Sequence, residues 1–305
     1  MKSRPDFFII GAPKCGTTAL SEYLRRHPRI GFSQPKEPVY FCTDFPKVRN
    51  YTEETDYLEH CFGHCRPSDC LAIGEGSTAY FYSTEAAGNI LRFDPGARFI
   101  IMLRNPVDMI PALHAQKLLS LEEDESSFET AWALRRERLA GRKIPKFCVE
   151  PRLVDYADLG RLGQHAQRLF QEIPEPQRLV ILFDDFARDT RSIYRQVLAF
   201  LGVPDDGRTE FPRINESRRL KNPTLYEFGH RPPPMLMRIV NAIKTALGIE
   251  RLGILSRLLD WNVRQSERKP LSATMKQTLR QEFSEDIDRL ATLLGRDLSD
   301  WRREA

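Results

Sequence analysis

The chain has 305 residues, of which 41% are hydrophobic and 29% are charged, and these values are typical of a folded globular protein. Its formal net charge of +4 at pH 7 is too small to favour nucleic acid as a partner. No apolar run is long enough to span a bilayer, and residues 1–6 lead into an apolar strand rather than into a signal-peptide core. Composition therefore predicts a cytoplasmic protein without a transmembrane segment, and it does not fix the oligomeric state.

A phosphate-binding loop is predicted close to the start of the chain. An apolar strand runs into a turn with Gly11 and Gly16 and then into a helix. Backbone N–H groups at a helix N-terminus are unpaired and lie at the positive end of the helix dipole, so such a turn binds anions. Thr18 keeps the hydroxyl of the G-x-x-x-x-G-K-[ST] loop, but Thr17 occupies its lysine position and Lys14 lies inside the loop. The pattern predicts a nucleotide phosphate site that differs from the usual ATP- or GTP-binding loop.

Two further segments give this loop a family resemblance. Residues 11–20, His27-Pro28 and residues 36–41 together resemble the PAPS-dependent sulfotransferases, most closely the bacterial branch related to the carbohydrate and heparan sulfate enzymes. The resemblance implies a P-loop-like α/β fold of three layers, with a central parallel sheet flanked by helices. It also implies that PAPS (3′-phosphoadenosine 5′-phosphosulfate) is the sulfuryl donor, that no metal takes part, and that the acceptor is a small molecule or a carbohydrate.

The resemblance assigns two catalytic residues and a donor-binding loop. Lys14 is expected to interact with the leaving phosphate, and Glu37 is expected to be the base that takes the acceptor's proton. The donor-binding residues of the loop are expected to be Pro13, Lys14, Cys15, Gly16, Thr17, Thr18 and Ala19. From its sequence surroundings alone, Glu37 is a loop carboxylate whose backbone is restricted by the prolines on either side of it.

The next motifs are an acceptor loop and a second phosphate-binding residue. Residues 74–81 resemble the loop that lines the acceptor cleft, and Gly76 there replaces the usual lysine. The most apolar predicted strand ends in Arg104, at the sheet edge where open α/β sheets bind ligands, and the guanidinium donors match a phosphate. Pairing of Arg104 with Asp108 is the alternative. The resemblance assigns Arg104 to the 3′-phosphate of the nucleotide, with Ala112 in place of a serine that contacts the same phosphate.

A later apolar strand, beginning at Arg178, ends in Asp184 and Asp185. Strands that hold magnesium in NTPases have the same pattern, so a P-loop nucleotide kinase or NTPase is an alternative function. We favour a different role for these acids, as caps of the helix that follows. A non-catalytic nucleotide-binding homologue is a second alternative, because Ala112 and Gly76 depart from the family pattern.

Two basic segments have different interpretations. A run of cationic residues is interpreted as a solvated face, with guidance of an anionic acceptor as the alternative; it contains Arg135, Arg136, Arg138, Arg142, Lys143 and Lys146. Farther along, the resemblance implies a basic loop that closes over the nucleotide, and it assigns Arg218, Arg219 and Lys221 to this contact.

Hydrophobic periodicity predicts the remaining elements. Helices are predicted over 85–91, 113–119, 156–170, 235–261 and 271–301, and short strands at 7–10 and 30–32. The basic helix over 235–261 is expected to pack on its own domain, with a membrane surface or a partner as the alternative. We expect one sulfotransferase domain over 1–305, in which 1–220 form an α/β nucleotide-binding core and 221–305 are mainly helical.

The six cysteines are too few for a dense disulfide pattern, so free thiols are expected. His60, Cys61, His64, Cys65 and Cys70 have side chains that bind metals, but a second ligand pair at the spacing of structural zinc sites is missing. We interpret this segment as a surface loop, with a metal site as the alternative.

Overall fold

The computed structural model describes most of the chain, including most of the motifs. The described ranges are 4–66, 68–214, 218–220, 263–265 and 270–303, with backbone alone for the two short ranges. Lys221 and the predicted helix over 235–261 lie outside these ranges. The predicted division of the domain at residue 220 therefore stays a prediction.

A parallel sheet of apolar strands forms the centre of the fold. The strands are β1 (Phe7–Ile9), β2 (Ile30–Phe32), β3 (Ala72–Gly76), β4 (Arg98–Leu103) and β5 (Arg178–Leu182). They pair in the order β2-β3-β1-β4-β5, and each pairing is parallel. The carboxyl ends of parallel strands lie at one edge of the sheet, so the segments after the adjacent strands β3, β1 and β4 converge there. The predicted central parallel sheet is confirmed.

Helices lie on both faces of this sheet. The helices of the described chain are α1 (Thr17–Arg25), α2 (Glu54–Phe62), α3 (Ala86–Phe93), α4 (Pro106–Leu119), α5 (Phe128–Ala133), α6 (Arg135–Leu139), α7 (Tyr156–Leu159), α8 (Leu162–Glu172), α9 (Phe183–Arg188), α10 (Thr190–Phe200) and α11 (Ala273–Leu294). A Cβ on Gly76 would approach Ser21 of α1, whereas the neighbouring Glu75 contacts Tyr57 of α2. Because successive strand residues point to opposite faces, α1 and α2 cover different faces, and the three-layer prediction is confirmed.

Shorter elements complete the described chain. Single 3₁₀ turns cover Thr78–Phe81, Pro151–Val154, Glu175–Gln177 and Ser299–Trp301. Strands β6 (Arg218–Leu220) and β7 (Val263–Gln265) form a separate antiparallel pair. In the part of the chain that the structure describes, no helix combines the length and the apolar character needed to cross a bilayer.

The helix predicted over 156–170 is two helices, α7 and α8, because a residue far along the chain caps the second one. Asp286 of α11 accepts hydrogen bonds from the backbone N–H of Gly163 at 2.6 Å and of Gln164 at 2.9 Å. These groups are unpaired at a helix N-terminus, so the carboxylate starts α8 there. The prediction of one helix over 271–301 is also wrong at its end, since Gly295 adopts a φ of 60° and terminates α11.

The prediction that Asp184 or Asp185 caps the next helix is wrong. Asp189 caps α10 instead, by accepting the N–H of Ser192 at 2.9 Å. Asp184 accepts a hydrogen bond from the indole N–H of Trp301 at 2.8 Å, and Asp185 pairs with Arg296. Both acids therefore hold the C-terminal segment against the end of β5.

The predicted surface loop around the cysteines is partly helical. Cys61 is completely buried in the last turn of α2, whose apolar residues share one face of the helix. Cys65 and Cys70 are half-buried beside Gly31 of the edge strand β2. Within the described ranges, no group of three or more His, Cys, Asp and Glu side chains is arranged to hold a metal ion.

One member of the basic run is a core residue rather than part of a solvated face. The Arg138 guanidinium, 2% exposed, donates two hydrogen bonds to the fully buried Glu123 carboxylate, at 2.6 and 2.7 Å. The Tyr156 hydroxyl donates to the same carboxylate at 2.8 Å. The solvated-face interpretation is therefore wrong for Arg138, whereas Arg142, 67% exposed, fits it.

We predict that Arg138→Met lowers the free energy of unfolding by about 3–5 kcal/mol, because it leaves the buried Glu123 carboxylate without its cation. Arg142→Met is the matched control. Arg142 is exposed and its pairing with Glu137 is 4.0 Å long, so its replacement is expected to cost less than about 0.5 kcal/mol. Urea denaturation of the two variants measures both values, and equal losses would contradict the prediction.

Candidate active site

The loop after β1 is attached to β4 along its first half. Ile10 N–H donates to Ile100 O at 2.9 Å, and Ala12 N–H donates to Met102 O at 3.0 Å. A Cβ on Gly11 would lie 2.6 Å from the Met102 oxygen, so glycine permits this close approach. The position of the loop relative to the sheet is therefore fixed by backbone contacts.

The second half of the loop turns away from the sheet and starts α1. Lys14 has a φ of 64° and Gly16 a φ of 90°, both in the left-handed region. The helix begins at Thr17, and the first amides of a helix have no intrahelical acceptor, so those of Thr17, Thr18 and Ala19 form the positive end of α1. This arrangement is the anion-binding geometry that the loop sequence predicts.

Cys15 contributes to this loop by packing. Its side chain is completely buried, and its Sγ lies 3.5 Å from the Pro13 oxygen. Burial raises the pKa of the Cys15 thiol well above its ordinary value, so the thiol stays protonated. A contact between Cys15 and a phosphate would therefore be made by its backbone.

The carboxylate of Glu37 is held at the end of β3, next to β1. Glu37 N–H donates to Gly76 O at 3.1 Å, and the Thr78 N–H donates to Glu37 Oε2 at 2.7 Å. The other carboxylate oxygen pairs with the Lys36 ammonium. Glu37 has a φ of 63°, and its side chain is 35% exposed. These contacts aim a partly solvent-accessible carboxylate at the sheet edge where the loop lies.

Arg104 approaches the loop from the opposite side, at the end of β4. Its Nη1 donates to the Lys14 oxygen at 3.2 Å, and its guanidinium lies 4.5 Å from the centre of the Phe183 ring. It therefore contacts the loop rather than pairing locally with Asp108. The structure thus brings the segments of Lys14, Glu37 and Arg104 to the carboxyl ends of three adjacent strands, β1, β3 and β4, with Glu37 held at β3 through Gly76.

The other predicted donor-binding residues lie on α4, on β6 and outside the described ranges. Ala112 is 1% exposed on α4, and its contact with a nucleotide stays a prediction. Arg218 and Arg219 belong to β6, whose backbone lies beside α4, but their side chains are outside the described structure. Lys221 is also outside it.

Sequence analysis missed a buried acid beneath the Glu37 segment. Glu75 on β3 is completely buried, and the Tyr57 hydroxyl donates to its Oε2 at 2.6 Å. Burial raises the pKa of Glu75 to about 7, the Tyr57, Tyr80 and Ser77 hydroxyls lower it, and the Glu37 charge raises it. The sequence signal was a single glutamate between two glycines of an apolar strand, and it did not show which face the side chain occupies.

The raised pKa of Glu75 predicts that the stability of the folded protein depends on pH. The folded protein keeps this proton up to about pH 7, whereas an ordinary glutamate loses it near pH 4.5, so ionisation destabilises the folded state as the pH rises between these values. We predict that the free energy of unfolding of Glu75→Gln, minus that of the wild type, increases by about 3 kcal/mol as the pH rises from 4.5 to about 7. Urea denaturation at several pH values measures the difference, and a constant difference would contradict the prediction.

Comparisons with known proteins identify the family to which this fold belongs. Residues 5–207 match the sulfotransferase family. Human carbohydrate sulfotransferase 15 is 30% identical over 149 residues, covering 36% of this chain and 27% of that protein. Human bifunctional heparan sulfate N-deacetylase/N-sulfotransferase 3 is 29% identical over 205 residues, covering 65% of this chain and 22% of that protein. These matches span about a quarter of the relatives' lengths.

A solved structure extends the likeness over the whole chain. The crystal structure of a sulfotransferase from Alicyclobacillus acidocaldarius superposes with a TM-score of 0.71 and 27% sequence identity. The superposition covers 99% of this chain and 100% of that one. The family match includes the loop after β1, the Glu37 segment and the end of β4, so the chain belongs to the sulfotransferase family.

Proposed function

We propose that this protein transfers the sulfuryl group of PAPS, in line, to a hydroxyl or amine of a small-molecule or carbohydrate acceptor. The observation that carries this proposal is the convergence of the Lys14 loop, Glu37 and Arg104 at one edge of the sheet. The names of the relatives include carbohydrate and heparan sulfate, which supports a carbohydrate among the candidate acceptors.

Lys14 and the start of α1 would stabilise the leaving group. Negative charge develops on the 5′-phosphate as the bond to sulfur breaks, and donors fixed beside it stabilise the transition state more than the ground state. Lys14 supplies a positive charge, while the amides of Gly16, Thr17 and Thr18 supply directed donors. Arg104 would bind the 3′-phosphate through its planar set of N–H groups. The backbone contacts of the loop with β4 hold these groups in place, which supports their assignment to the donor.

Glu37 would accept the proton of the acceptor. A general base must be aimed at the proton that it takes, and the hydrogen bond from Thr78 together with the Lys36 ammonium holds the direction of the Glu37 carboxylate. Lys36 supplies a cation to the Glu37 carboxylate, whereas Gly76 lacks the family's lysine. The sulfuryl group carries less charge than a γ-phosphoryl group, so its transfer has less need of a metal ion, and we propose that no metal takes part.

The kinase or NTPase alternative has less support. It requires an acid after β5 that is free to hold magnesium, but Asp184 accepts the Trp301 indole N–H and Asp185 pairs with two arginines, Arg188 and Arg296. The retained Lys14, Glu37 and Arg104 also count against a non-catalytic homologue.

We predict that Glu37→Gln lowers turnover by about 10²–10⁴-fold because it removes the base while keeping an acceptor for Thr78. Its affinity for adenosine 3′,5′-bisphosphate is expected to change little. Lys14→Ala is expected to lower turnover and bisphosphate affinity together. Release of the bisphosphate from PAPS, measured with a panel of sugar, phenol and amine acceptors, gives the turnover.

Glu175→Gln is the matched control for these variants. Glu175 is an exposed carboxylate just before β5, at the amino edge of the sheet, so its replacement is expected to leave turnover unchanged. A Glu37→Gln variant that keeps more than half of the wild-type turnover would show that Glu37 is not the base.

A further inference from the structure

Glu75 is a buried acid that the proposed mechanism does not use. It lies on β3, between β1 and β2, with no exposed surface. Tyr57 donates to its Oε2, whereas its Oε1 is buried and has no hydrogen-bond partner among the described residues. The hydroxyls of Tyr80 and Ser77 lie close enough to the carboxyl to lower its pKa. A buried carboxyl group destabilises the folded protein unless it forms hydrogen bonds, so the groups around Glu75 indicate its role.

The segment that we call the base loop, residues 37–41, is attached to the chain around Glu75. Every second residue of the base loop donates its backbone N–H: Glu37 to Gly76 O at 3.1 Å, Val39 to Ser77 Oγ at 3.1 Å, and Phe41 to Tyr80 Oη at 3.3 Å. Two of these three acceptors are hydroxyls beside Glu75. A hydroxyl has one hydrogen, and its oxygen faces the loop only if that hydrogen points elsewhere.

The base loop needs this attachment because its backbone is strained. Glu37 has a φ of 63° and Val39 a φ of 55°. A positive φ is uncommon for residues other than glycine, and for a β-branched residue such as valine it is a genuine outlier. Such conformations persist only where the surrounding structure holds them. The N–H bonds of Val39 and Phe41 therefore help to fix the direction of the Glu37 side chain.

We propose that Glu75 is a positioning residue for Glu37. When Glu75 is ionised, its carboxylate, whose Oε1 has no other partner, attracts the hydroxyl hydrogens of Ser77 and Tyr80, so that the two hydroxyl oxygens face the base loop and accept its N–H groups. This keeps the left-handed backbone at Glu37 and the aim of the base. The inference rests on the proposed role of Glu37 as the base.

The protonation state of Glu75 controls this arrangement. The ionised carboxylate accepts from the hydroxyls, whereas the neutral acid has a hydrogen of its own and competes with them as a donor. The titratable groups that face it are Glu37, Cys42, Tyr57, Cys61 and Tyr80. Burial places the pKa of Glu75 at about 7, so we expect turnover to rise with pH as Glu75 ionises.

Two variants test the positioning role. Glu75→Gln keeps the shape of the side chain but puts a donor where the hydroxyls need an acceptor, and Tyr80→Phe removes the acceptor of the Phe41 N–H. Both are expected to lower kcat by about 10- to 100-fold, because a small displacement of a catalytic group has a large effect on rate. The affinity for adenosine 3′,5′-bisphosphate is expected to stay within about twofold of the wild-type value, since the donor loop is attached to β4 instead.

The pH profile separates positioning from a general structural role. Wild-type kcat is expected to fall below about pH 7, and the Glu75→Gln profile is expected to lose this acidic limb. Tyr57→Phe is the matched control, because it removes the hydroxyl that donates to Glu75 and keeps the ring that stacks on Tyr40 of the base loop. The Tyr57→Phe variant lacks a hydrogen bond that lowers the pKa of Glu75. The acidic limb of its kcat profile should therefore move to higher pH, while kcat at high pH stays at the wild-type value.

Hydrogen exchange gives a readout that needs no acceptor. The amides of Val39 and Phe41 should exchange faster in Glu75→Gln and Tyr80→Phe than in the wild type or Tyr57→Phe. Unchanged exchange and an unchanged kcat in Glu75→Gln would overturn the inference, as would equal losses of kcat and bisphosphate affinity. If Glu75→Gln does not fold, Tyr80→Phe provides the same test.

The activities of Glu37→Gln and Glu75→Gln together distinguish an error in the proposed function from an error in the positioning role. An active Glu37→Gln would overturn the role of Glu37 as the base. An inactive Glu37→Gln together with a fully active Glu75→Gln would overturn the positioning role alone.

Discussion

The close approach of the Gly11 backbone to Met102 of β4 is the constraint on which the candidate site depends. Backbone bonds from Ile10 and Ala12 continue the pairing of β1 with β4 past the end of the strand. Because Gly11 has no side chain, the loop lies directly on β4 before it turns through Lys14 and Gly16 into α1. The amides of α1 and the backbone of Lys14 consequently have a fixed position relative to the strands on either side.

The two neighbouring strands are then held to the same edge by separate contacts. On one side, the base loop is bonded to the end of β3 through Gly76, Ser77 and Tyr80. On the other side, Trp301 links the ends of β4 and β5. Its oxygen accepts a hydrogen bond from Asn105 at 3.2 Å, and its indole donates to Asp184. The C-terminal segment therefore supports the strand ends next to Arg104.

Short sequence patterns predicted the elements whose structure depends on neighbouring residues in the chain. The apolar strands, the glycine loop and the arginine after β4 could be identified because each depends on a few adjacent residues. The interactions that sequence analysis missed connect distant residues. Asp286 caps a helix more than a hundred residues earlier, Arg138 pairs with Glu123 inside the protein, and Asp184 accepts from Trp301. A charged residue in the sequence does not reveal whether its partner lies in the core, so these roles became visible only in the folded chain.

The donor site is the central claim, and a calorimetric titration with adenosine 3′,5′-bisphosphate tests it most directly. The same protein is titrated with ATP and magnesium. We predict binding of the bisphosphate in the micromolar range, with heat that disappears in the Lys14→Ala variant, and no binding of ATP with magnesium. Binding of ATP with magnesium in preference to the bisphosphate, or binding of neither nucleotide, would contradict the assignment of the Lys14 loop and Arg104 to a PAPS site.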